Sequence, residues 1–233
     1  MLNNNHSSSD NLGTFGWSLS FIGDINLSSD SDGNIYVSNL GIEAIFPQQA
    51  TEDETANNSE SLNSRQLLQF YSSSQSIFQQ QADGSYTGNG GTLTWNVDHY
   101  ELDTNNGRKI VFLPNGRLNY VEYSNGYLLT AEYTNDLLTK LSDNNGDSFT
   151  ISHNSNQRIE QVTDSNGLVD TYSYDATGQY LLSVEDNNGL TSFSYKNPLD
   201  PTLLSSVTYG NGLKVSYDYD HLGRRILRIK KVA

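Results

Sequence analysis

Apolar and polar residues alternate along much of the chain, and short turn sequences interrupt the alternation at regular intervals. The clearest unit is TYSYDATGQYLLSVEDNNG at residues 171–189. Tyr172 and Tyr174 alternate with polar residues, as in a half-buried strand. The turn sequence DATG precedes a second apolar run at 180–184, and Asn188-Gly189 ends the unit. Asp, Asn and Gly are the residues that tight turns favour, so the pattern predicts two strands and two turns.

This unit is repeated through the second half of the chain. The Asn-Gly pair recurs at intervals of 19, 20, 21, 22 and 23 residues, and an aromatic or His position recurs with it. The repeated glycines are Gly107, Gly126, Gly146, Gly167, Gly189 and Gly212. The positions of the second set, called the aromatic slot below, are Phe112, Tyr133, His153, Tyr174, Tyr195 and Tyr219. A period near twenty predicts an array of hairpins, each stacked on the next, in which these twelve residues hold structural positions.

The second strand of each repeat has apolar residues three positions apart, as in Leu138 and Leu141 or Leu181 and Val184. This spacing departs from strict alternation, but the runs are too short for a helix and lie between Asn-Gly turns. We therefore expect a β-bulge in these strands, or burial of both faces, and very little helix.

The first half of the chain predicts a β segment of a different kind. Residues 1–12 are polar and predict a disordered tail. Residues 13–104 contain alternating runs at 13–22, 35–37, 40–46 and 92–95, with a turn at 30–34, and predict strands that precede the repeats. Residues 48–64 are acidic and predict a mobile loop, and residues 105–233 form the repeat region.

Charge and composition narrow the possible partners. The net charge is −14, with one basic residue and 13 acidic ones in 1–107. Such a surface disfavours binding to nucleic acid, and no apolar run is long enough to span a membrane. Five bases lie near the C-terminus, at Arg224, Arg225, Arg228, Lys230 and Lys231, where a polar strand face is the simpler interpretation. The start lacks the features of a signal peptide, and the chain has no Cys, which does not identify a compartment.

Three segments carry a family resemblance. They are Tyr174-Asp175-x-x-Gly178-x-x-Leu181, Tyr219-Asp220-x-x-Gly223-Arg224-x-Ile226 and Phe112-x-x-Asn115-Gly116-Arg117-Leu118. These segments resemble the tyrosine-aspartate (YD) repeat of the rearrangement-hotspot (Rhs) family, whose relatives include teneurins and the shells of insecticidal toxin complexes. Other units keep the position of the motif in the repeat but not its residues, since they have His153-Asn154 or Tyr195-Lys196 in place of the Tyr-Asp pair.

The resemblance implies an all-β fold, a repetitive antiparallel β-hairpin array that forms a spiralling or curved, solenoid-like sheet. In the family such a sheet encloses a toxin or supports adhesion. The implied function is a non-catalytic scaffold, secreted or at the cell surface, without a cofactor. Expected partners are further repeats of a larger shell, a cargo domain, a cell-surface glycan or a second copy through an exposed sheet edge. Family members end the shell with Asp-Pro-x-Gly, whereas Asp200-Pro201 is followed by Thr-Leu, so self-cleavage is not carried over.

The sequence offers little catalytic chemistry. His6, His99, His153 and His221 have no metal-site spacing, and His153 occupies the aromatic slot. The carboxylate pairs Glu185/Asp186 and Asp218/Asp220 are the candidates for acid–base chemistry, but solvent exposure is the simpler interpretation of Asp218 and Asp220. The expectation is that the chain is not an enzyme.

Two further features have a structural and a binding interpretation. The segments at 30–34 and 143–147 are rich in Asp and Asn and faintly resemble calcium loops, but turns require the same residues. Trp17 and Trp95 could stack on a sugar ring, although their strand positions favour core packing. A carbohydrate-binding or cell-adhesion module is therefore the alternative function.

Overall fold

The structure, a computed structural model, describes residues 25–38, 75–196 and 200–219, together with the backbone of the strands at 18–19, 68–69 and 225–231. It divides into two compact units, and within the described residues the division falls between Thr150 and Ile151. The predicted tail at 1–12, the strand at 40–46 and the loop at 48–64 lie outside the described residues.

The first unit is built from antiparallel strands that follow one another along the chain. Its strands are β1 (Ser18–Leu19), β2 (Asn26–Ser29), β3 (Ile35–Ser38), β4 (Leu68–Gln69), β5 (Gln75–Gln80), β6 (Tyr86–Gly88), β7 (Gly91–Asn96), β8 (His99–Thr104), β9 (Lys109–Phe112), β10 (Leu118–Glu122), β11 (Leu128–Thr134) and β12 (Leu137–Asp143). Strand β13 (Ser148–His153) crosses the division. Strands β2, β3 and β5–β13 pair in chain order, while β1 pairs with β4.

The second unit continues the same pattern. Its strands are β14 (Ile159–Asp164), β15 (Val169–Tyr174), β16 (Leu181–Asp186), β17 (Gly189–Ser194), β18 (Ser206–Thr208), β19 (Leu213–Tyr219) and β20 (Arg225–Lys231). Each pairs antiparallel with the next. No helix occurs among the described residues, so none of them forms a helix that could cross a membrane. The prediction of an all-β array of antiparallel hairpins is confirmed.

The early strands agree with the sequence pattern where the structure describes them. The run at 35–37 is β3, and the turn before it is closed by Asp30. Alternation along β7 places Leu93 in the core, where it pairs with Leu102 of β8 and both are fully buried. Each such side chain contributes about 2 kcal/mol of burial free energy, so a run of cross-strand leucine and isoleucine pairs holds the sheet together.

The three-residue spacing in the second strands comes from β-bulges, as predicted. In β16, Tyr174 pairs with Leu181 and Ser173 pairs with Ser183, so Leu182 has no residue opposite it. The same shift occurs in β10, between Leu118 and Tyr120, and in β12 opposite Tyr133. The bulge adds one residue that has no partner on the neighbouring strand. Apolar residues three positions apart, one on each side of the bulge, therefore point to the same buried face.

Four of the six Asn-Gly turns, those that end at Gly107, Gly126, Gly167 and Gly212, share one geometry. At 123–127, Tyr123 N donates to Tyr127 O and Gly126 N donates to Tyr123 O, both at 2.9 Å. Gly126 has a φ of +81°, the left-handed region that a three-residue loop with a type I turn requires at its last position. All six repeat glycines have positive φ.

One turn uses a residue other than glycine at this position. Gln157 has a φ of +61° and an exposed side chain, and its N–H donates to Asn154 O at 2.9 Å as the glycine does elsewhere. A residue with a Cβ is strained there.

We expect Gln157→Gly to raise the free energy of unfolding by about 0.5–1 kcal/mol, because the relief of strain exceeds the added flexibility of the unfolded chain. Denaturant unfolding measures the difference. Gly126→Ala is the matched control, since an added Cβ there meets no atom within 4 Å and the loss of about 1 kcal/mol is purely conformational. A less stable Gln157→Gly variant would contradict the assignment of strain.

Candidate functional site: the contacts between successive hairpins

Two tyrosines of the aromatic slot hydrogen-bond through their hydroxyl groups to the backbone of the preceding hairpin element, at the first residue of β14 in one case and just before β18 in the other. Tyr174 Oη donates to Ile159 O at 2.6 Å, and Tyr219 Oη donates to Leu204 O at 2.8 Å. Each bond spans the same 15 residues of sequence. We call these two bonds the tyrosine clamps. Burial raises the pKa of Tyr174, which keeps its hydroxyl protonated and able to donate.

The remaining slot residues occupy comparable packed surroundings. Phe112 is fully buried and pairs with Leu118, and Tyr133 pairs with Leu138 and lies under the Arg117 guanidinium at 5.3 Å. The Tyr195 ring lies 5.0 Å from the ring of Tyr180. His153 is half-buried, and burial lowers its pKa, so the neutral ring is favoured. The slot is thus a packing position, to which the tyrosine clamps add a hydrogen bond between hairpins.

The aspartate of the Tyr-Asp pair organises the turn that follows it. Asp175 Oδ1 accepts from Gln179 N at 2.8 Å and from Tyr180 N at 2.9 Å, while Oδ2 accepts from Thr177. Burial alone would raise the pKa of this carboxyl, but the hydrogen bonds from Thr177, Gln179 and Tyr180 outweigh it and leave the pKa below its ordinary value. In the unit that departs from the motif, Asn154 makes equivalent bonds to two backbone N–H groups.

The turns also contact one another along the array. Asn144 Nδ2 donates to Gly126 O at 2.9 Å, and Asn144 Oδ1 accepts from Leu128 N at 3.2 Å. In the second unit, Arg158 Nε donates to Gly178 O at 2.9 Å. Successive hairpins are therefore joined at their turns as well as along their strands.

The carboxylates predicted as candidates are arranged differently from the expectation. Glu185 is exposed and Asp186 is buried, so this pair lies on opposite faces of β16. Asp218 is exposed, as expected, and Asp220 lies outside the described residues. The sequence reasoning missed the burial of Asp170 and Asp186. The alternation of Asp170 with Tyr172 along β15 was the signal for the burial of Asp170.

The histidines do not form a joint site. His99 Nδ1 lies 2.8 Å from Asp98 Oδ1 at an exposed hairpin end, and its Nε2 lies 3.7 Å from Glu101 Oε2. His6 and His221 are outside the described residues. Within the ranges that the structure describes, no three or more His, Cys, Asp and Glu residues form a group able to hold a metal ion.

The two calcium-like segments act as turns. Asp30 Oδ1 accepts from Asp32 N and Asn34 N, and its Oδ2 accepts from Asn34 Nδ2 and Tyr36 Oη. Asp143 Oδ1 accepts from two N–H groups of its own turn. The carboxylates thus face their own backbone, as the turn interpretation predicts.

The prediction that Trp95 packs in the core is wrong. Its side chain is 46% exposed at the end of β7 and meets Tyr100 edge-on, with ring centroids 4.6 Å apart. The adjacent hairpin end presents Val97, which is 95% exposed and has a φ of +51°. The exposure follows from register, because the β6–β7 pairing ends at Leu93, so at Trp95 strand β7 has β8 on one side and no β6 residue on the other. Trp17 is outside the described residues.

These contacts define a repeat protein of stacked antiparallel β-hairpins. No family model matches the chain, and no curated protein matches it. Solved structures with some similarity include TcdB2-TccC3, with 11% identity and a TM-score of 0.43 over 86% of this chain, and TcdB2-TccC3-Cdc42, with 13% and 0.42 over 92%. The chain spans 12% of the length of each. A porin-like protein from Bacteroides uniformis has 9% identity and a TM-score of 0.34, with 88% of this chain and 92% of that one covered. At such scores the similarities carry no argument about function.

We expect Tyr174→Phe to lower the free energy of unfolding by about 1–2 kcal/mol, since it removes a hydroxyl donor and leaves the Ile159 carbonyl without it. Tyr172→Phe is the matched control two residues away, because the Tyr172 hydroxyl is buried and has no hydrogen-bond partner among the described residues. This control should be neutral or slightly stabilising, because it removes a buried hydroxyl that has no hydrogen-bond partner among the described residues. Equal losses in both variants would show that the clamp bond contributes nothing specific.

We expect the stabilising effect of Asp175 to depend on pH. Its pKa is lowered in the folded protein, so the contribution is present above the unfolded pKa of about 3.9 and is lost as the pH falls through the folded value. Asp175→Asn keeps a side-chain oxygen that can accept from the backbone, as Asn154 Oδ1 does in its own turn, but the amide carries no titratable proton. The stability difference between wild type and variant should therefore shrink as the pH falls below about 4 in denaturant unfolding. A difference that is constant with pH would contradict this.

Proposed function

We propose that the chain is a non-catalytic structural scaffold, part of a YD-repeat shell of a secreted or surface-exposed toxin or adhesion protein. The shell encloses cargo or supports cell contact. Its described residues are organised around inter-hairpin contacts, and the Tyr-Asp motifs carry the resemblance to the Rhs family.

The tyrosine clamps are the observation that carries the proposal. In each, the tyrosine of the repeat donates a hydrogen bond to a backbone carbonyl 15 residues earlier, at or just before the start of the preceding strand. A hairpin is therefore completed by its neighbour, which is how a repeat array builds an extended wall. The bonds among turns, such as Asn144 with Gly126, serve the same end.

A wall of this kind needs partners at its edges. Further repeats, or the rest of a larger shell, would pair with the terminal strand, and a cargo domain would be enclosed by it. Self-association of this chain through an exposed sheet edge follows from the same requirement, because an unpaired strand offers a row of backbone donors and acceptors.

Sedimentation over a range of concentrations tests the scaffold proposal, which expects concentration-dependent association. Arg228→Pro and Ile229→Pro form a matched pair in β20, since successive N–H groups of a strand point to opposite edges and only one of the two faces β19. The proline that removes the N–H facing β19 should lower the thermal stability. The other proline removes an N–H on the opposite edge, so that variant should keep the wild-type thermal stability and lose association. A wild-type chain that stays monomeric at high concentration would count against the proposal.

A carbohydrate-binding or cell-adhesion module is the second candidate, and the hairpin end at Trp95 favours it. An indole that is 46% exposed beside Tyr100 offers an aromatic face to a sugar ring. Val97 is a β-branched residue held at positive φ at the same end, and strained backbone concentrates at binding sites.

A titration with a panel of glycans separates the two candidates. Because the chain has two tryptophans, Trp17→Phe isolates the Trp95 fluorescence. The adhesion candidate expects a saturable change that Tyr100→Ala weakens, whereas the scaffold proposal expects none. Absence of any response across the panel would remove this candidate.

A further inference from the structure

The turns of the described residues contain eight Asn-Gly dipeptides, which begin at Asn89, Asn106, Asn115, Asn125, Asn145, Asn166, Asn188 and Asn211. An Asn that precedes Gly can close a succinimide ring, in which the glycine nitrogen attacks the side-chain amide carbon of the asparagine. Glycine has no Cβ to obstruct this approach. The peptide group between the two residues must rotate for the ring to close, so hydrogen bonds to that peptide group oppose the reaction.

In most of these pairs the N–H of the glycine is already bound. Gly189 pairs with Asp186 at the end of the β16–β17 ladder. Among the described residues, the N–H groups of Gly90 and Gly146 have no hydrogen-bond partner. The other five glycines donate to the carbonyl three residues earlier at 2.9–3.0 Å: Gly107 to Thr104, Gly116 to Leu113, Gly126 to Tyr123, Gly167 to Asp164 and Gly212 to Tyr209.

The peptide group between Asn89 and Gly90 is held through its carbonyl instead. Asn105 Nδ2 donates to Asn89 O at 2.9 Å, and Asn105 N donates to Gly90 O at 3.3 Å. The backbone is also crowded here, because a Cβ on the adjacent Gly91 would collide with the Asp103 carbonyl oxygen. This peptide group therefore cannot rotate without breaking a contact to the neighbouring turn.

The peptide group between Asn145 and Gly146 has no such restraint. Neither its carbonyl nor its N–H has a hydrogen-bond partner among the described residues, and the Asn145 side-chain amide has none there either. Both residues are exposed. Gly146 has a φ of +105°, whereas the five glycines that donate three residues back lie between +80° and +84°. The unbound N–H thus follows from a different turn geometry.

The turn at 164–168 provides a close comparison within the same chain. In both turns an aspartate Oδ1 accepts from the backbone N–H groups two and four residues further on, Asp143 in one and Asp164 in the other. Asn166, like Asn145, is exposed, and its side chain has no hydrogen-bond partner in the described part of the chain. What differs is the N–H of the glycine, which in Gly167 is bound to Asp164 O at 3.0 Å.

We propose that Asn145 is a site of covalent modification, at which the folded protein converts asparagine to isoaspartate without an enzyme. The Gly146 nitrogen loses its proton to hydroxide and bonds to Asn145 Cγ. The Cγ–Nδ2 bond breaks, and Nδ2 takes a proton from water and leaves as ammonia. Water then opens the succinimide, and its attack at the main-chain carbonyl gives isoaspartate, whereas attack at the side-chain carbonyl gives aspartate. The site does not depend on the proposed function.

Isoaspartate lengthens the main chain of this turn by a carbon atom. The turn is closed by Asp143 N, which donates to Asp147 O at 2.9 Å. Its Asn144 side chain contacts the preceding hairpin, with Nδ2 donating to Gly126 O at 2.9 Å. An additional atom between residues 145 and 146 displaces these groups from each other. The modification therefore weakens a contact between successive hairpins.

Peptide mapping by mass spectrometry tests the site on the folded full chain after incubation in a mildly alkaline buffer. Asn145 should react about tenfold faster than Asn166, the factor that corresponds to a hydrogen bond of about 1.4 kcal/mol. Chromatography separates the isoaspartate peptide from the aspartate peptide. In denaturant, where the turns are lost, the two pairs should react at similar rates.

Asn145→Gln should fold, because the side chain is exposed and unbound, and should stop the reaction because the longer side chain closes its ring far more slowly. Incubated wild type should have a Tm about 2–4 °C below that of fresh protein, the shift for the loss of about one hydrogen bond in a chain of this size. Asn145→Gln should keep its Tm. Asn145→Asp adds the charge without the additional main-chain atom, so its Tm should stay close to that of fresh wild type.

The proposal is overturned if Asn145 reacts no faster than Asn166 in the folded protein, or if it reacts in denaturant alone. A loss of Tm on incubation that Asn145→Gln shares would place the damage at another residue. A loss of the same size in fresh Asn145→Asp would attribute it to charge, and would overturn the weakened contact between hairpins.

Discussion

A β-hairpin leaves one edge of each strand without hydrogen-bond partners and one face of apolar side chains uncovered. In this protein both constraints are met by the next hairpin along the chain, and the rest of the architecture follows from that dependence. The backbone ladders meet the first constraint: among the described strands, one ladder runs through β2, β3 and β5–β13, and another runs from β14 to β20. The leucine and aromatic pairs, such as Phe112 with Leu118, meet the second. The tyrosine clamps then fix the end of a strand against the start of the preceding strand or the residues that lead into it.

The bulges and turns make this stacking regular. A bulge in the second strand brings Leu181 and Val184 to the same face, so both are buried beside the aromatic slot of their repeat. The turn after the slot is capped by a carboxylate or amide, Asp175 in one repeat and Asn154 in another, which satisfies backbone N–H groups that no strand can reach. The Tyr-Asp pair therefore combines a contact between hairpins with a cap within one of them.

Side chains that depart from the general packing of the array are the places where additional chemistry is found. Trp95 lies where a neighbouring strand is too short to cover it, and it forms an exposed aromatic end with Tyr100. Asp170 is buried where an earlier repeat has the buried Leu129. Both follow the alternation of their strands, so neither disturbs the fold, and each changes the chemistry of the surface or of the buried face.

The sequence by itself determined the class of fold and the period of the array, because alternation, Asn-Gly turns and the aromatic slot are local signals with local physical causes. It also predicted the bulges, since a spacing of three breaks strict alternation and a run so short between two turns cannot form a helix. It did not determine which side chains meet across strands. The pairing of Tyr172 with Val184 depends on register, and the pair Glu185/Asp186, adjacent in sequence, is divided between two faces of one strand. Only the tertiary structure decided these contacts and the exposure of Trp95, because they depend on the length and alignment of neighbouring strands, which no single segment specifies.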